Sequence, residues 1–192
     1  MKYLIGIDEV GRGPIAGPVA VGAFVFLKSE AKKFFKGVKE SKQLTEEKRE
    51  VWFSKILEGQ KKGLANFSVV FQSEKVIDEK GISFAIKKCL VTSLNNLKIN
   101  PKDALVLLDG GLKAPEEYKN QKTIIKGDVK EQVIALASIC AKVSRDRKMR
   151  GWAKKHPNYG FDVHKGYGTK RHYEAIQMHG LLPLHRKTFY KK

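Results

Sequence analysis

Two hydrophobic patterns run along this chain, and they separate strands from helices. Residues 2–9 carry the run Tyr3-Leu4-Ile5-Gly6-Ile7 and predict a strand. Residues 18–26 alternate at Val19, Val21, Ala23 and Val25 and predict a second, joined to the first by the hairpin-length turn 11–17, so that the two run antiparallel. Residues 64–71 predict a third strand. Residues 45–57 predict a helix, with Thr45 as its cap and Glu46 and Glu47 in the first turn, where the helix dipole favours acids. The clearest helix spans 82–97: Ile82, Ala85, Ile86, Cys89, Leu90, Leu94 and Leu97 share one face in steps of three and four, and Asn100-Pro101 ends it.

The unbroken apolar run 104–108 predicts a buried central strand that stops at Asp109-Gly110-Gly111. A brief strand at 123–126 stops at Gly127-Asp128. A long helix over 131–154 follows, and its small residues Ala135, Ala137, Ser138 and Ala141 predict a close-packed neighbour. Residues 157–169 read as a glycine-rich loop and 170–179 as a short helix stopped by Gly180. Strands come first, and helices then interleave with further strands, which predicts an α/β domain with a mixed sheet. No internal repeat, low-complexity tract or domain linker interrupts the 192 residues, so one domain is expected.

Charge adds a partner to this picture. There are 38 Lys and Arg against 20 Asp and Glu, a formal charge of +18. Residues 129–192 alone hold 15 basic and 4 acidic side chains, so the footprint for a polyanion is centred in the last third. Cys89 and Cys140 lie on apolar helical stripes with no metal spacing, a cytosolic pattern of small buried hydrophobes. No stretch approaches the ~18 apolar residues of a membrane span. Asp8 and Glu9 interrupt the first apolar run too early for a signal peptide.

The acids that a basic chain keeps at apolar strand ends carry the candidate chemistry. Asp8, Asp109 and Asp128 each end a strand beside glycine, with Glu9 next to the first. Taken singly, an aspartate before glycine is also an ordinary turn residue. Taken together on neighbouring strands, the four would converge. At ~4 Å and an effective dielectric near 20 each pair would cost about 4 kcal/mol. Oxygen-seeking Mg²⁺ or Mn²⁺ relieves that repulsion, and two such ions can clamp an in-line phosphoryl displacement. Gly11-Arg12-Gly13, directly behind Asp8 and Glu9, lets backbone N–H groups and a guanidinium approach a phosphate or sugar.

Ordered motifs then match a known family. Asp8-Glu9-Val10-Gly11-Arg12-Gly13-Pro14 with Ala16-Gly17-Pro18-Val19 resembles the opening signature of type 2 ribonuclease H, ribonuclease HII. The likeness continues through Ser41-Lys42-Gln43-Leu44, the strand into Asp109, Gly127-Asp128, the block from Ala137 to Asp146, His164-Lys165-Gly166-Tyr167-Gly168-Thr169 and Leu184-His185-Arg186. The resemblance implies an RNase H-like fold with a small helical, basic C-terminal extension (156–192). It also implies endonucleolytic hydrolysis of RNA in RNA·DNA hybrids and at single ribonucleotides embedded in duplex DNA, leaving 5′-phosphate and 3′-hydroxyl ends. By position it makes Asp8, Glu9, Asp109 and Asp128 the catalytic, metal-holding carboxylates. It makes Gly11, Arg12 and Gly13 the reader of the ribose 2′-hydroxyl, the group that separates RNA from DNA at a given site. Tyr167 would pack on the deoxyribose beyond it. Ser41 and Lys42 would contact substrate, although Glu40 stands where the family usually has Asp. Lys142 and Arg145, one helical turn apart, would face phosphates. The five histidines lack metal-ligand spacing and are expected in surface or hydrogen-bonded structural roles.

Two alternatives stay open at this point. A basic nucleic-acid-binding module without catalysis explains the charge but not four acids at apolar strand ends. Ribonuclease HIII shares the fold but carries an extra N-terminal domain, whereas this chain starts at the first acid-bearing strand; the Gly11-Arg12-Gly13 turn also favours type HII. A monomer is expected, and the end at Lys192 shows no evident docking peptide for a replication clamp.

Overall fold

The structure is a computed structural model and describes residues 1–190; the expectation about the chain end at Lys191 and Lys192 lies outside them. Five strands form one mixed sheet: β1 (Tyr3–Val10), β2 (Val19–Phe26), β3 (Ala65–Gln72), β4 (Ala104–Asp109) and β5 (Gln121–Ile124), in the order β3-β2-β1-β4-β5. The β1–β2 and β2–β3 pairs are antiparallel, and β1–β4 and β4–β5 are parallel. The predicted hairpin is present, and β4 lies inside the sheet as expected, between β1 at the centre and β5 at the edge. Along the chain the helices are α1 (Ala31–Phe34), α2 (Glu46–Lys61), α3 (Glu74–Lys80), α4 (Ile82–Asn96), α5 (Gly127–Lys130), α6 (Gln132–Lys155), α7 (Phe161–His164) and α8 (Lys170–His179). Short 3₁₀ turns lie at Ser41–Gln43, Pro101–Asp103 and Pro157–Tyr159.

Alternation along β1 and β2 divides the core into two layers. Ile5, Ile7, Val21 and Val25 meet the apolar stripe of α4 (Ile86, Cys89, Leu90, Leu94) on one face. On the other, Phe24, Phe26 and Leu107 meet α1, α2 and α6, through Phe35, Phe53, Ile56, Ile134, Ala137 and Cys140. Both cysteines are buried, as expected. The small residues of α6 have a clear purpose. A Cβ at Gly6 would lie 2.3 Å from the Val133 carbonyl carbon, and one at Gly22 would lie 2.4 Å from the Ala137 oxygen. The helix backbone therefore rests directly on the sheet beside the end of β1.

A third apolar cluster (Ile15, Ala16, Met149, Ala153, Tyr159, Phe161, Ala175, Ile176) joins the C-terminal half of α6 to the last segment. That segment adds to the 11–17 turn as a strand-like bridge between Ala16 and His185, with Gly17 N–H donating to the Leu184 oxygen and Arg186 N–H to the Ile15 oxygen (each 2.8 Å). The glycine-rich stretch 157–169 thus holds a 3₁₀ turn and one turn of α-helix rather than open loop.

Candidate active site

The parallel register brings Ile7 of β1 beside Leu108 of β4, so one step further along each strand stands an aspartate, Asp8 and Asp109. Asp109 Oδ1 accepts the Gly127 N–H (2.6 Å), which fastens the start of α5 to the end of β4 and puts Asp128 alongside. Lys126 makes this possible with a left-handed backbone (φ 54°). Asp128 therefore stands in the first turn of a one-turn helix, two residues beyond where the brief strand was expected to end. Asp8 and Asp128 are buried, and Glu9 and Asp109 are half-buried.

The electrostatics are those of anions gathered against their preference. Burial pushes the Asp8 carboxyl up to about 7, with Asp109, Glu9 and Asp128 adding to the rise and a hydrogen bond from Ser138 opposing it. Burial also raises Glu9, against the lowering charge of Arg12, and raises Asp128 together with the charge of Asp109, against Lys42. Three of the acids have a local positive partner: Glu9 has Arg12 (3.7 Å), Asp128 has Lys42 (3.9 Å) and Asp109 has the Gly127 amide (2.6 Å). Accordingly, no three of these side chains among the described residues form a ready metal-ligand cluster. Their chemistry nonetheless suits a hard divalent cation: four carboxylates at one sheet end, three of them with raised pKa.

Around this centre the other expected residues divide. Arg12 and Gly13 are exposed at the mouth, and Gly11 is buried beneath them. Tyr167 is 44% exposed on the neighbouring loop. Lys42 extends into solvent, presented by a turn that Arg49 holds through the Ser41 and Leu44 carbonyls (2.9 and 2.5 Å). Ser41 differs from expectation: its side chain is buried and its hydroxyl meets the Ser138 hydroxyl at 2.8 Å. Glu40, which replaces the family's usual Asp, lies close enough to raise Asp128 further.

Two expected phosphate contacts are corrected. Lys142 is half-buried and its ammonium donates to Asp146 (2.9 Å) rather than pointing free into solvent. Arg145 is fully buried, and its guanidinium donates to the carbonyls of Pro18 (2.9 Å), Lys165 (2.9 Å) and Ala16 (3.3 Å). For Arg145 the reason lies in the turn packed against it. The 11–18 turn crosses α6 and leaves its carbonyls without ladder partners, and a buried carbonyl needs a donor.

Sequence reasoning assigned no role to Arg186 and no arrangement to the histidines. Arg186 is also fully buried, beneath the Gly11–Gly17 turn. His164, His172 and His185 cluster around Phe161, which meets the first two edge-on, and the His164 and His172 rings stack with centroids 4.2 Å apart. Their hydrogen bonds define each tautomer. His172 Nδ1–H donates to the Tyr167 carbonyl (2.9 Å), so its Nε2 accepts from His185 Nε2–H (3.1 Å), and His185 Nδ1 accepts the Leu182 N–H (2.8 Å). His164 Nε2–H donates to the Tyr159 carbonyl (2.6 Å), and its Nδ1 accepts the Gly166 N–H (3.2 Å). Burial lowers all three, His172 to about 4, so the neutral forms persist at neutral pH.

A mixed sheet in this order, with carboxylates at the adjoining ends of its central parallel pair, defines an RNase H-like α/β protein. The comparisons agree. A crystal structure of ribonuclease H2 from Pyrococcus horikoshii OT3 superposes with a TM-score of 0.78 over 97% of this chain and 93% of that one, at 28% identity. Bst-RNase HIII in complex with Mn²⁺ shares the fold (TM-score 0.67, 20% identity, 93% of this chain and 63% of that one). The family model described as ribonuclease HII matches residues 5–192. A ribonuclease HII from Caldicellulosiruptor bescii is 45% identical over 190 residues, 99% of this chain and 87% of that protein. The chain belongs to the ribonuclease HII family and is an endoribonuclease acting on the RNA strand of RNA·DNA hybrids. Among its described residues no helix is long and apolar enough to cross a membrane.

Proposed function

We propose that this ribonuclease hydrolyses continuous RNA·DNA hybrids and also single ribonucleotides embedded in duplex DNA. The reaction depends on Mg²⁺ or Mn²⁺ held by Asp8, Glu9, Asp109 and Asp128, and it yields 5′-phosphate and 3′-hydroxyl ends. The observation that supports this reading is four carboxylates at one sheet end, three of them with raised pKa, followed directly in the chain by a turn that exposes Arg12 and Gly13 and joined through that turn to the loop that exposes Tyr167. Bound there, the cations would supply an activated water and charge neutralisation at the leaving oxygen.

The chain's own residues do the rest. Asp8, enclosed by α6, and Asp109, fixed by the Gly127 amide, would hold the metal together with Glu9 and Asp128, once the Arg12 and Lys42 side chains turn from those two acids to phosphate. Lys42 tracks the backbone by charge. The Gly11–Gly13 turn reads the 2′-hydroxyl, and the flat ring of Tyr167 rests on a sugar that lacks one. The basic last third extends the electrostatic footprint. Unpaired, buried cysteines fit action in the reducing cytoplasm.

Tyr167→Ala tests the reading. Steady-state cleavage is measured on a DNA duplex with one ribonucleotide and on a continuous hybrid. The expected result is a loss of about 1–2 kcal/mol of transition-state stabilisation, roughly tenfold in kcat/KM, on the first substrate and a much smaller loss on the second. Equal losses would refute a junction-reading role for the ring.

A further inference from the structure

Arg145 and Arg186 are both fully buried, and among the described residues neither lies at ion-pair distance from a carboxylate. Burying a guanidinium costs several kcal/mol unless its donors are used, so their partners show what the burial achieves. Arg186 donates Nη2–H to the Gly11 carbonyl (2.7 Å), Nη1–H to the Arg12 carbonyl (3.1 Å) and Nε–H to the Gly17 carbonyl (2.8 Å). Arg145 takes the carbonyls of Ala16 and Pro18 on the same turn and that of Lys165 on the Tyr167 loop. The two loops also join directly, through Ile15 N–H and Ala16 N–H to the Gly166 carbonyl (2.9 and 3.1 Å).

A trans peptide points its C=O and the following N–H in opposite directions. With the Gly11 and Arg12 carbonyls drawn inward by Arg186, the amides of Arg12 and Gly13 face outward at the mouth of the site. Neither amide has a backbone acceptor among the described residues. Gly11 permits the close seating: its backbone is left-handed (φ 86°), and a Cβ there would lie 2.3 Å from Arg145 Nε.

We infer that Arg186 is a positioning residue for ribose recognition: it aims the Arg12 and Gly13 amides at the 2′-hydroxyl, while Arg145 locks that turn to the loop bearing Tyr167. The inference rests on the junction-reading function proposed above and names the groups that set its geometry. Lysine would keep the charge but has one compact ammonium in place of a fork spanning three carbonyls. A continuous hybrid offers ribose in every register along the groove, so a loosened turn still finds one. A lone ribonucleotide offers a single register.

The test is Arg186→Lys, compared with the wild type by kcat/KM on the two substrates and by thermal melting. The expected result is a loss on the order of 10- to 100-fold on the single-ribonucleotide duplex, the scale of a misplacement near 1 Å, against no more than about threefold on the continuous hybrid. Equal losses on both substrates, with a wild type that cleaves both, overturn the inference and leave the junction reading standing. A wild type inert on the single ribonucleotide overturns the reading and the inference with it. If Arg186→Lys fails to fold, Phe189→Leu removes the ring over which the Arg186 guanidinium lies (5.2 Å), so that the fork keeps its donors but is free to shift against the three carbonyls. It is expected to lower the same substrate ratio about two- to threefold, the effect of losing an aromatic contact near 0.5 kcal/mol; an unchanged ratio overturns the inference.

Discussion

Asp8→Asn leaves a folded protein that no longer cleaves. Asp8 is one of the two buried carboxylates, at the end of the central strand and beneath α6, and its pKa is pushed up to about 7 by burial and by the other three acids. The amide has nearly the same shape, keeps a carbonyl oxygen for Ser138 and removes a buried charge that the fold holds at a cost. Thermal stability at pH 8 without divalent cations should therefore be equal to or above that of the wild type. Activity should fall on the order of 1,000-fold or more, because an amide is a poor ligand for a hard cation and the lost charge lies where the reaction needs it. Single-turnover cleavage of a hybrid duplex, with circular dichroism on the same samples, checks both halves. Turnover within tenfold of the wild type would show that the chemistry lies elsewhere.

The second large effect is a pH-dependent response to cations. The folded pKa of Asp8 is raised above its unfolded value of 3.8 to about 7. Below pH ~4 both states carry the proton. As pH rises towards 7 the unfolded chain gives it up and the folded protein retains it, so stability falls across that window, by up to about 4 kcal/mol for a shift near three units. Glu9 and Asp128, raised by the same causes, act in the same direction. A bound divalent cation reverses the loss, and at low pH it must displace protons to do so. At about 100 times the dissociation constant, cation binding adds ~2.7 kcal/mol, which at roughly 2–4 °C per kcal/mol for this size raises the melting temperature by about 5–10 °C. That rise is expected in Mn²⁺ at pH 8 and should shrink markedly at pH 5, with ionic strength matched by NaCl. A net charge of +18 disfavours diffuse cation binding, so an equal rise at both pH values, or none, would contradict the carboxylate site.

Much of this arrangement could be read before any coordinates. The β1–β2 hairpin followed from a seven-residue turn between two apolar runs, and α4 from one unbroken stripe. The ends of β1 and β4 were legible because apolar strands rarely stop at acids without a reason, and the parallel register then places Asp8 and Asp109 side by side. What was hidden depends on contacts distant in sequence. α3 is seven residues, mostly polar, and shows little periodicity. Asp128 reads as a strand-end acid, yet Lys126 turns the chain early and Gly127 seats it against β4. Arg145 looks like part of an exposed basic face with Lys142 because spacing along α6 cannot reveal that the 11–18 turn crosses there and takes its donors, while Lys142 turns to Asp146 on the same helix. Arg186 falls in a matched motif, but nothing local shows what it holds, since its partners lie about 170 residues earlier in the chain.

The central claim is that four carboxylates at the ends of β1 and β4 and the start of α5 hold the divalent cations that cleavage uses. Crystals soaked in MnCl₂ and measured at the manganese absorption edge test it most directly. The expected result is anomalous density among Asp8, Glu9, Asp109 and Asp128, with Glu9 and Asp128 drawn away from Arg12 and Lys42. Saturating manganese with no anomalous density among those four side chains would contradict it.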